Sequence, residues 1–196
     1  MFKTVFISGT PGTGKTTLIN KLKNSLSDYY NLDLLDINKI AIDNNFILEI
    51  NEDKDYKVVD IDKLNLKILK IIELKKQEFN NSTRDKTSRI ILVDGHISHL
   101  CDGADLLIIL RSNPKILNER LNLRGYSPSK IKDNLESESL AICSNEAYEK
   151  YKERVNEIDT SIISSDEMTK IAIEIIEDKI SCPVGKIDYL DWFLNK

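Results

Sequence analysis

Gly9-Thr10-Pro11-Gly12-Thr13-Gly14-Lys15-Thr16-Thr17 carries the most specific chemistry in this sequence. The spacing Gly-x-x-x-x-Gly-Lys-Thr is that of a phosphate-binding loop, provided a strand precedes it and a helix follows. Glycines allow successive backbone N–H groups to turn inward onto phosphate oxygens, and the helix adds the positive end of its dipole to the same anion. Lys15 is expected at the β and γ phosphates of a nucleotide, Thr16 at a Mg²⁺ ion and Thr17 near the α phosphate, with Gly12, Thr13 and Gly14 forming the cradle.

A phosphate loop works with an acid that orients the metal, normally at the end of a neighbouring buried strand. Asp94, closing Ile90-Ile91-Leu92-Val93, occupies such a place and is the second expected metal residue. Its other reading is a cap on the following turn. His96 and His99 are the two histidines of the chain. His96 has the chemistry to position or deprotonate an attacking water, the alternative being a structural hydrogen bond, while His99 is read as structural. With Cys101 the pair supplies metal-ligand residue types, but a fourth ligand and the usual spacing are missing.

No arginine precedes Arg84, whereas Arg111, Arg120 and Arg124 fall close together. Phosphoryl transfer needs cations over the migrating group, and an arginine ahead of Gly125-Tyr126 suits a mobile lid over the nucleotide. Lys15, Asp94, His96, Arg120 and Arg124 are therefore the catalytic candidates, and Arg124 can also stack on an adenine face. For each arginine the competing reading is a solvated helix face with ordinary ion pairs. Tyr126 reads as a packing residue of the lid.

The elements that must place these residues follow from hydrophobic period. Residues 2–8 read as a short buried strand ending at Gly9, and Leu18, Ile19, Leu22 and Leu26 give a helix to about residue 27. Leu32–Leu35 reads as a strand, and 36–59 as a small excursion outside the sheet. A long helix is predicted from Ile61 to Phe79, ended by the polar run Asn80–Ser88. Arg89–Val93 and Leu106–Leu110 read as interior parallel strands. Pro114 opens a helix that breaks at Gly125; further helices are predicted at 129–151 and 166–180, with a short strand at 155–158 between them. Ile187, Leu190 and Leu194 share a last helical face, and Tyr189, Trp192 and Phe193 are read as packing into the core. Strands alternating with helices predict an α/β three-layer fold with a parallel sheet.

Composition sets the bounds. The chain has 196 residues with 41% hydrophobic and 31% charged, which fits one globular domain spanning 1–196. A net charge of −4 argues against a protein that coats nucleic acid, so no sequence-specific nucleic acid is expected as a partner. The three cysteines show no Cys-x-x-Cys spacing, so a reducing compartment is expected. No apolar run reaches the roughly 18–20 residues of a membrane span, and residues 2–8 read as a strand rather than a leader; a cytoplasmic protein without a membrane partner is expected.

Gly-Thr-Pro-Gly-Thr-Gly-Lys-Thr-Thr, Val93-Asp94-Gly95-His96, Leu110-Arg111, Arg120-Leu121 and Arg124-Gly125-Tyr126-Ser127, in that order, resemble the adenylate kinase isoenzyme 6 family. Val59-Asp60 and Glu157-Ile158-Asp159-Thr160 extend the likeness over nearly the whole chain, and the tail Gly185–Trp192 looks like archaeal members. The resemblance implies a P-loop NTPase fold with a nucleoside-monophosphate-binding (NMP-binding) segment at 36–59 and a short lid at 123–133. It implies ATP contacts at Gly12, Gly14, Lys15, Thr16, Thr17 and Arg124, and roles in metal binding and ATP hydrolysis for Asp94 and His96. It further implies a broad-specificity kinase that converts ATP and AMP to two ADP, an ATPase activity, and late maturation of the small ribosomal subunit through transient contact with a basic platform ribosomal protein. One departure stands out: 36–59 contains no arginine, and Ile42 follows Ile40-Ala41 where a basic residue is expected at the AMP phosphate. Lys39 or a core arginine would have to substitute, and a lysine offers a point charge instead of a fork.

Three functions from different classes remain: a nucleoside monophosphate kinase, an ATPase assembly factor with little AMP kinase activity, and a GTP switch. The last is disfavoured because Asn38-Lys39-Ile40-Ala41 lacks the aspartate of a guanine-recognition motif.

Overall fold

The computed structural model describes residues 1–51, 56–81 and 88–195. Strands β1 (Phe2–Ser8), β2 (Asn31–Asp36), β5 (Arg89–Asp94), β6 (Leu106–Arg111) and β7 (Val155–Asp159) form one parallel sheet in the order β2-β5-β1-β6-β7. Alternation across these strands feeds two layers. Val5, Ile7, Ile90, Leu92, Ile108 and Leu110 face one side, where helices α1 (Lys15–Leu26) and α7 (Ser165–Ile176) supply Leu18, Leu22, Ala172 and Ile176. Phe6, Ile91, Val93, Leu107 and Ile109 face the other, against α2 (Ile37–Asp43), α3 (Ile61–Asn81) and α6 (Ile142–Tyr151). Apolar residues on both faces are what an interior parallel strand requires, and the three-layer α/β fold is as the sequence predicts.

A third, smaller cluster joins Leu117 and Leu121 of α4 (Pro114–Leu123) to Ile131 and Leu135 of α5 (Pro128–Ser139). It fixes the turn at 123–127 between the two helices. Asn113 and Ser127 cap them through their side-chain oxygens, each with proline at the helix start. Truncating a fully buried side chain such as Leu121 to alanine would cost about 2–5 kcal/mol and loosen that turn.

Several boundaries differ from the sequence reading. Asp36 closes β2, but residues 37–51 and 56–59 stay outside the main sheet, as expected, and they form regular elements: α2 is followed by an antiparallel hairpin of β3 (Ile47–Asn51) and β4 (Tyr56–Val59). The excursion lacked a clean period because α2 is only two turns long and both hairpin strands are largely exposed; residues 52–55 lie outside the described residues. The single helix expected at 129–151 is two, α5 and α6, broken where Ala141 adopts φ 52°. The helix expected to reach residue 180 ends at Ile176, where Lys3 Nζ takes the Ile176 carbonyl at 2.7 Å and Asp178 turns at φ 57°. Most of Asn80–Ser88, with Arg84, lies outside the described residues. The final helix is one turn, α8 (Leu190–Leu194), and its aromatics are half-buried rather than core: Trp192 packs on the third cluster, and the Tyr189 hydroxyl donates to Asp159 at 2.7 Å. Among the described residues no helix is long and apolar enough to cross a membrane.

Candidate functional site

β1 lies in the middle of the sheet with β5 and β6 on its two sides, so the crevice past its carboxyl end is where an open α/β sheet places a ligand. The 9–17 loop fills that crevice. Gly12 has φ 94°, and a Cβ there would sit 2.8 Å from Leu117 Cδ1 and 3.1 Å from Leu121 Cδ2, so the loop seats its backbone directly on α4. Lys15 Nζ donates to the carbonyls of Gly9 at 2.5 Å and Thr10 at 3.0 Å. Thr13 Oγ1 donates to Thr10 O at 2.9 Å, and Thr160 Oγ1 donates to Thr13 O at 2.9 Å. Burial lowers the Lys15 pKa to about 8, opposed by the charges of Asp94 and Glu138.

Asp94 ends β5 in register with Ile7 of β1 and Asp36 of β2. Burial raises its pKa and the neighbouring Asp36 adds to the rise, while Lys15 pulls it down. Gly95 follows because no side chain fits: a Cβ would lie 2.1 Å from Ile37 Cγ1, so the segment after Asp94 packs on the first residue of α2. His96 lines the crevice as an exposed side chain; desolvation there and the Lys15 charge lower its pKa to about 4, and the imidazole is neutral at pH 7. His99 is buried instead, held between Ser8 Oγ at 2.7 Å and Glu146 Oε2 at 2.8 Å.

These residues meet in a cavity of about 450 Å³. Pro11, Gly12, Gly14, Lys15 and Thr16 line one wall and Asp94 and His96 the floor. Asn38, Ala41, Ile42, Ile47, Tyr56, Lys57 and Val59 form the opposite wall, and Arg124, Tyr126 and Lys130 the rim. The cavity thus joins the phosphate loop to the arm made of α2 and the hairpin. The Thr16 hydroxyl and the Asp94 carboxylate both open into it. Oxygen donors few in number suit Mg²⁺, which keeps waters and takes the rest of its shell from phosphate, so the residues present fit that ion.

The three arginines part company. Arg124, the C-cap of α4, is exposed at the cavity rim. Arg120 stands outside the cavity lining, its Nη1 and Nη2 donating to Thr160 Oγ1 at 3.1 Å and Thr160 O at 2.7 Å. Arg111 is 1% exposed and pairs with Glu138 at 2.8 Å and Glu157 at 2.7 Å, so it does not face a phosphoryl group here.

A family described as an AAA domain matches residues 5–141. A protein of Methanothermobacter thermautotrophicus named "Putative adenylate kinase" is 33% identical over 191 residues, covering 97% of this chain and 99% of that one. One of the same name from Methanocaldococcus jannaschii is 35% identical over 175 residues, covering 89% of this chain and 86% of that one. The chain belongs to an adenylate-kinase-like family of P-loop proteins. Solved structures agree on the fold. An unliganded Janibacter sugar kinase superposes with a TM-score of 0.58 at 12% identity, covering 90% of this chain and 95% of that one. The YorR protein of Bacillus subtilis, solved with phosphorylated GDP, gives 0.55 at 18% identity over 89% and 95%.

In this adenylate-kinase-like chain the structure brings Gly12, Gly14, Lys15, Thr16, Asp94, His96 and Arg124 to one cavity. Thr13 lies outside the lining, its side chain buried and bonded within the loop and its carbonyl taken by Thr160. Thr17 is exposed on the first turn of α1, outside the lining. Reading the sequence missed Glu138, which accepts the Thr10 hydroxyl, and the cavity residues Asn38, Tyr56, Lys57 and Lys130. Glu138 stands three residues after Leu135 and seven after Ile131, on the buried face of α5, but a charged type at that spacing reads as the helix's polar margin until its buried partners are seen. Tyr56 and Lys57 lie beyond 52–55 in a segment without a clean period.

Proposed function

We propose that the chain is a nucleoside monophosphate kinase that converts ATP and AMP to two ADP. The observation that carries this reading is the single cavity shared by the phosphate loop and the arm, which gives a nucleoside triphosphate and a second nucleotide facing positions. ATP sits with its phosphates on the 9–17 backbone and Lys15; Thr16 and Asp94 hold Mg²⁺, which neutralises charge on the β and γ oxygens when bound. An AMP phosphate oxygen attacks the γ phosphorus in line, the bond to the bridging oxygen of ADP breaks, and Arg124 and Lys15 stabilise the equatorial charge. Residues 36–59 serve as the NMP-binding segment, and 123–133 closes as the lid to exclude water. Arg120, now on Thr160, reaches the phosphates only if that closure releases it.

An apolar arm wall with Asn38 and Lys57 as its polar members offers few hydrogen bonds with which to reject a base, which supports broad NMP specificity. Val93-Asp94-Gly95-His96 and the Arg124-Gly125-Tyr126 turn support assignment to the isoenzyme 6 branch. A second activity, ATP hydrolysis, is favoured by His96: an imidazole kept neutral in the crevice can accept a hydrogen bond from an attacking water and so position it, although its lowered pKa makes it a weak base. The ribosomal role rests on the resemblance alone; co-sedimentation of the ATP-bound chain with small-subunit particles tests it. Free thiols at Cys101, Cys143 and Cys182 support a reducing, cytoplasmic setting.

ADP formation from ATP, measured with and without AMP, tests the main reading. A rate that rises strongly with AMP and doubles the ADP per ATP consumed is expected; AMP-independent turnover alone would leave the hydrolase. In His96→Ala the AMP-independent rate should vanish while transfer to AMP persists.

A further inference from the structure

Glu138 is a buried carboxylate that the kinase mechanism does not use. It is 2% exposed, in the last turn of α5, and both its oxygens are engaged. Oε1 accepts Arg111 Nε at 2.8 Å and the Ser112 backbone N–H at 2.9 Å, and Oε2 accepts the Thr10 hydroxyl at 2.5 Å. Its backbone carbonyl takes Arg111 Nη2 at 2.9 Å. Beyond the guanidinium, Glu157 accepts Arg111 Nη1 at 2.7 Å and the Gly185 backbone N–H at 3.0 Å. Two carboxylates thus share one guanidinium, which leaves an excess of negative charge inside the protein. Burying unbalanced charge is costly, so a nearby cation must offset it. That cation is Lys15. The same Thr10 whose hydroxyl donates to Glu138 accepts the Lys15 ammonium on its carbonyl, so one loop residue separates the two charges.

We propose that Glu138 is a positioning residue of the phosphate loop: through Thr10 it holds the carbonyl that seats Lys15, and it places a compensating negative charge behind that ammonium. The link also ties the loop to α5, whose first turn carries Lys130 at the cavity rim, so movement of that helix is felt at Thr10. Glu138 reaches the loop because it extends the buried face of α5 that Ile131 and Leu135 begin.

The charged and titratable groups that face Lys15 come from several elements. Asp94 at the end of β5, Glu138 of α5 and the Cys143 thiol of α6 favour its charge, while Arg124 after α4 opposes it; His96 lies close enough to be affected by Lys15 in turn. Among these, Glu138 is the one tied to the loop through the Thr10 hydroxyl. The consequences for turnover rest on the kinase reading, whereas the seating of Lys15 on Thr10 does not.

The test measures Mg-ATP affinity by calorimetry, and kcat and KM for ATP separately, in the wild type, Glu138→Gln, Thr10→Val, Thr10→Ser and the double variant Glu138→Gln/Thr10→Val. Glutamine keeps the volume and can still accept from Arg111 and Ser112 while its amide faces Thr10, so it weakens the link without emptying the site. Each of Glu138→Gln and Thr10→Val should lower Mg-ATP affinity severalfold, and the double variant should lose no more than Thr10→Val alone, because the two residues act through one hydrogen bond. Losses that simply add overturn the proposal. Should the Glu138 variants fail to fold, Thr10→Ser, which keeps the hydroxyl, should retain the affinity that Thr10→Val loses, and an equal loss in both overturns it instead. A wild type that transfers no phosphoryl group would sink the kinase reading, yet non-additive losses of Mg-ATP affinity would still uphold the role of Glu138.

Discussion

On the phosphate-loop wall of the cavity, Lys15, Thr10 and Thr13 are each held by hydrogen bonds to buried neighbours. On the arm wall, Ile42 and Tyr56 are 50% and 44% exposed and Lys57 stands open to solvent. The hairpin beyond them also leaves Leu48 and Ile50 more than half exposed. One wall is braced by hydrogen bonds before any ligand arrives, whereas in the other Ala41, Ile47 and Val59 pack on the core and Ile42, Tyr56 and Lys57 are left to gain contacts from a ligand. A preformed loop suits a ligand part that never varies, the triphosphate. A loosely built apolar wall suits a partner that varies, and its ordering is a cost subtracted from affinity. The loop should therefore show large, all-or-none effects on substitution, and the arm graded ones.

The largest expected effect is at Lys15. Lys15→Ala removes the cation that the phosphate loop itself supplies, leaving Arg124 and Lys130 at the rim, and a loss of about 10²-fold or more in kcat/KM for ATP is expected, the range for deleting one preorganised charge-stabilising group. Steady-state kinetics with ATP varied at saturating AMP measures it. A loss no larger than that from substitutions in the arm would break the contrast between the walls.

The same contrast explains what could be read from sequence. The loop wall was legible because its chemistry is local: Gly12, Gly14, Lys15 and Thr16 follow one another, and Asp94 ends an apolar run that can only be an interior strand. The core strands were legible because burial on both faces leaves uninterrupted apolar stretches. The arm was not, since its hairpin has little buried face to impose a period of two. Arg111 was read among possible phosphate cations because its sequence neighbours say nothing of Glu138 or Glu157, which are 27 and 46 residues away and meet it only in the fold. The break at Ala141 was invisible for a related reason: nothing at 140–141 is glycine or proline, and the turn is imposed by the packing of α5 and α6.

A smaller, more selective effect is expected at Lys57, which faces the cavity from β4 in a wall without arginine. If the AMP phosphate is met there, Lys57→Ala should raise KM for AMP about tenfold, the worth of one hydrogen bond to a charged group, and leave KM for ATP unchanged. Lys57→Arg should retain most of the affinity. Equal effects on both nucleotides would mean that the arm is not a separate acceptor wall.

The smallest expected effect is a flat line. His96 lies on the cavity floor beside the loop wall, and its pKa of about 4 keeps the imidazole neutral through the range where an unperturbed histidine, near 6.5, takes up a proton. The AMP-independent hydrolysis rate should accordingly show no inflection between pH 5 and pH 7, whereas kcat/KM for ATP should fall above about pH 8 as Lys15 loses its proton. The stability consequence has a definite sign. Between pH 6.5 and pH 4 the unfolded chain binds a proton at His96 that the folded chain does not, so this residue lowers stability as pH falls through that window. His96→Asn should reduce the acid sensitivity of thermal unfolding by that one proton. An acid inflection near pH 6.5 in the hydrolysis profile, absent in His96→Asn, would instead show that the ring is hydrated as freely as the arm and that the floor belongs with the open wall.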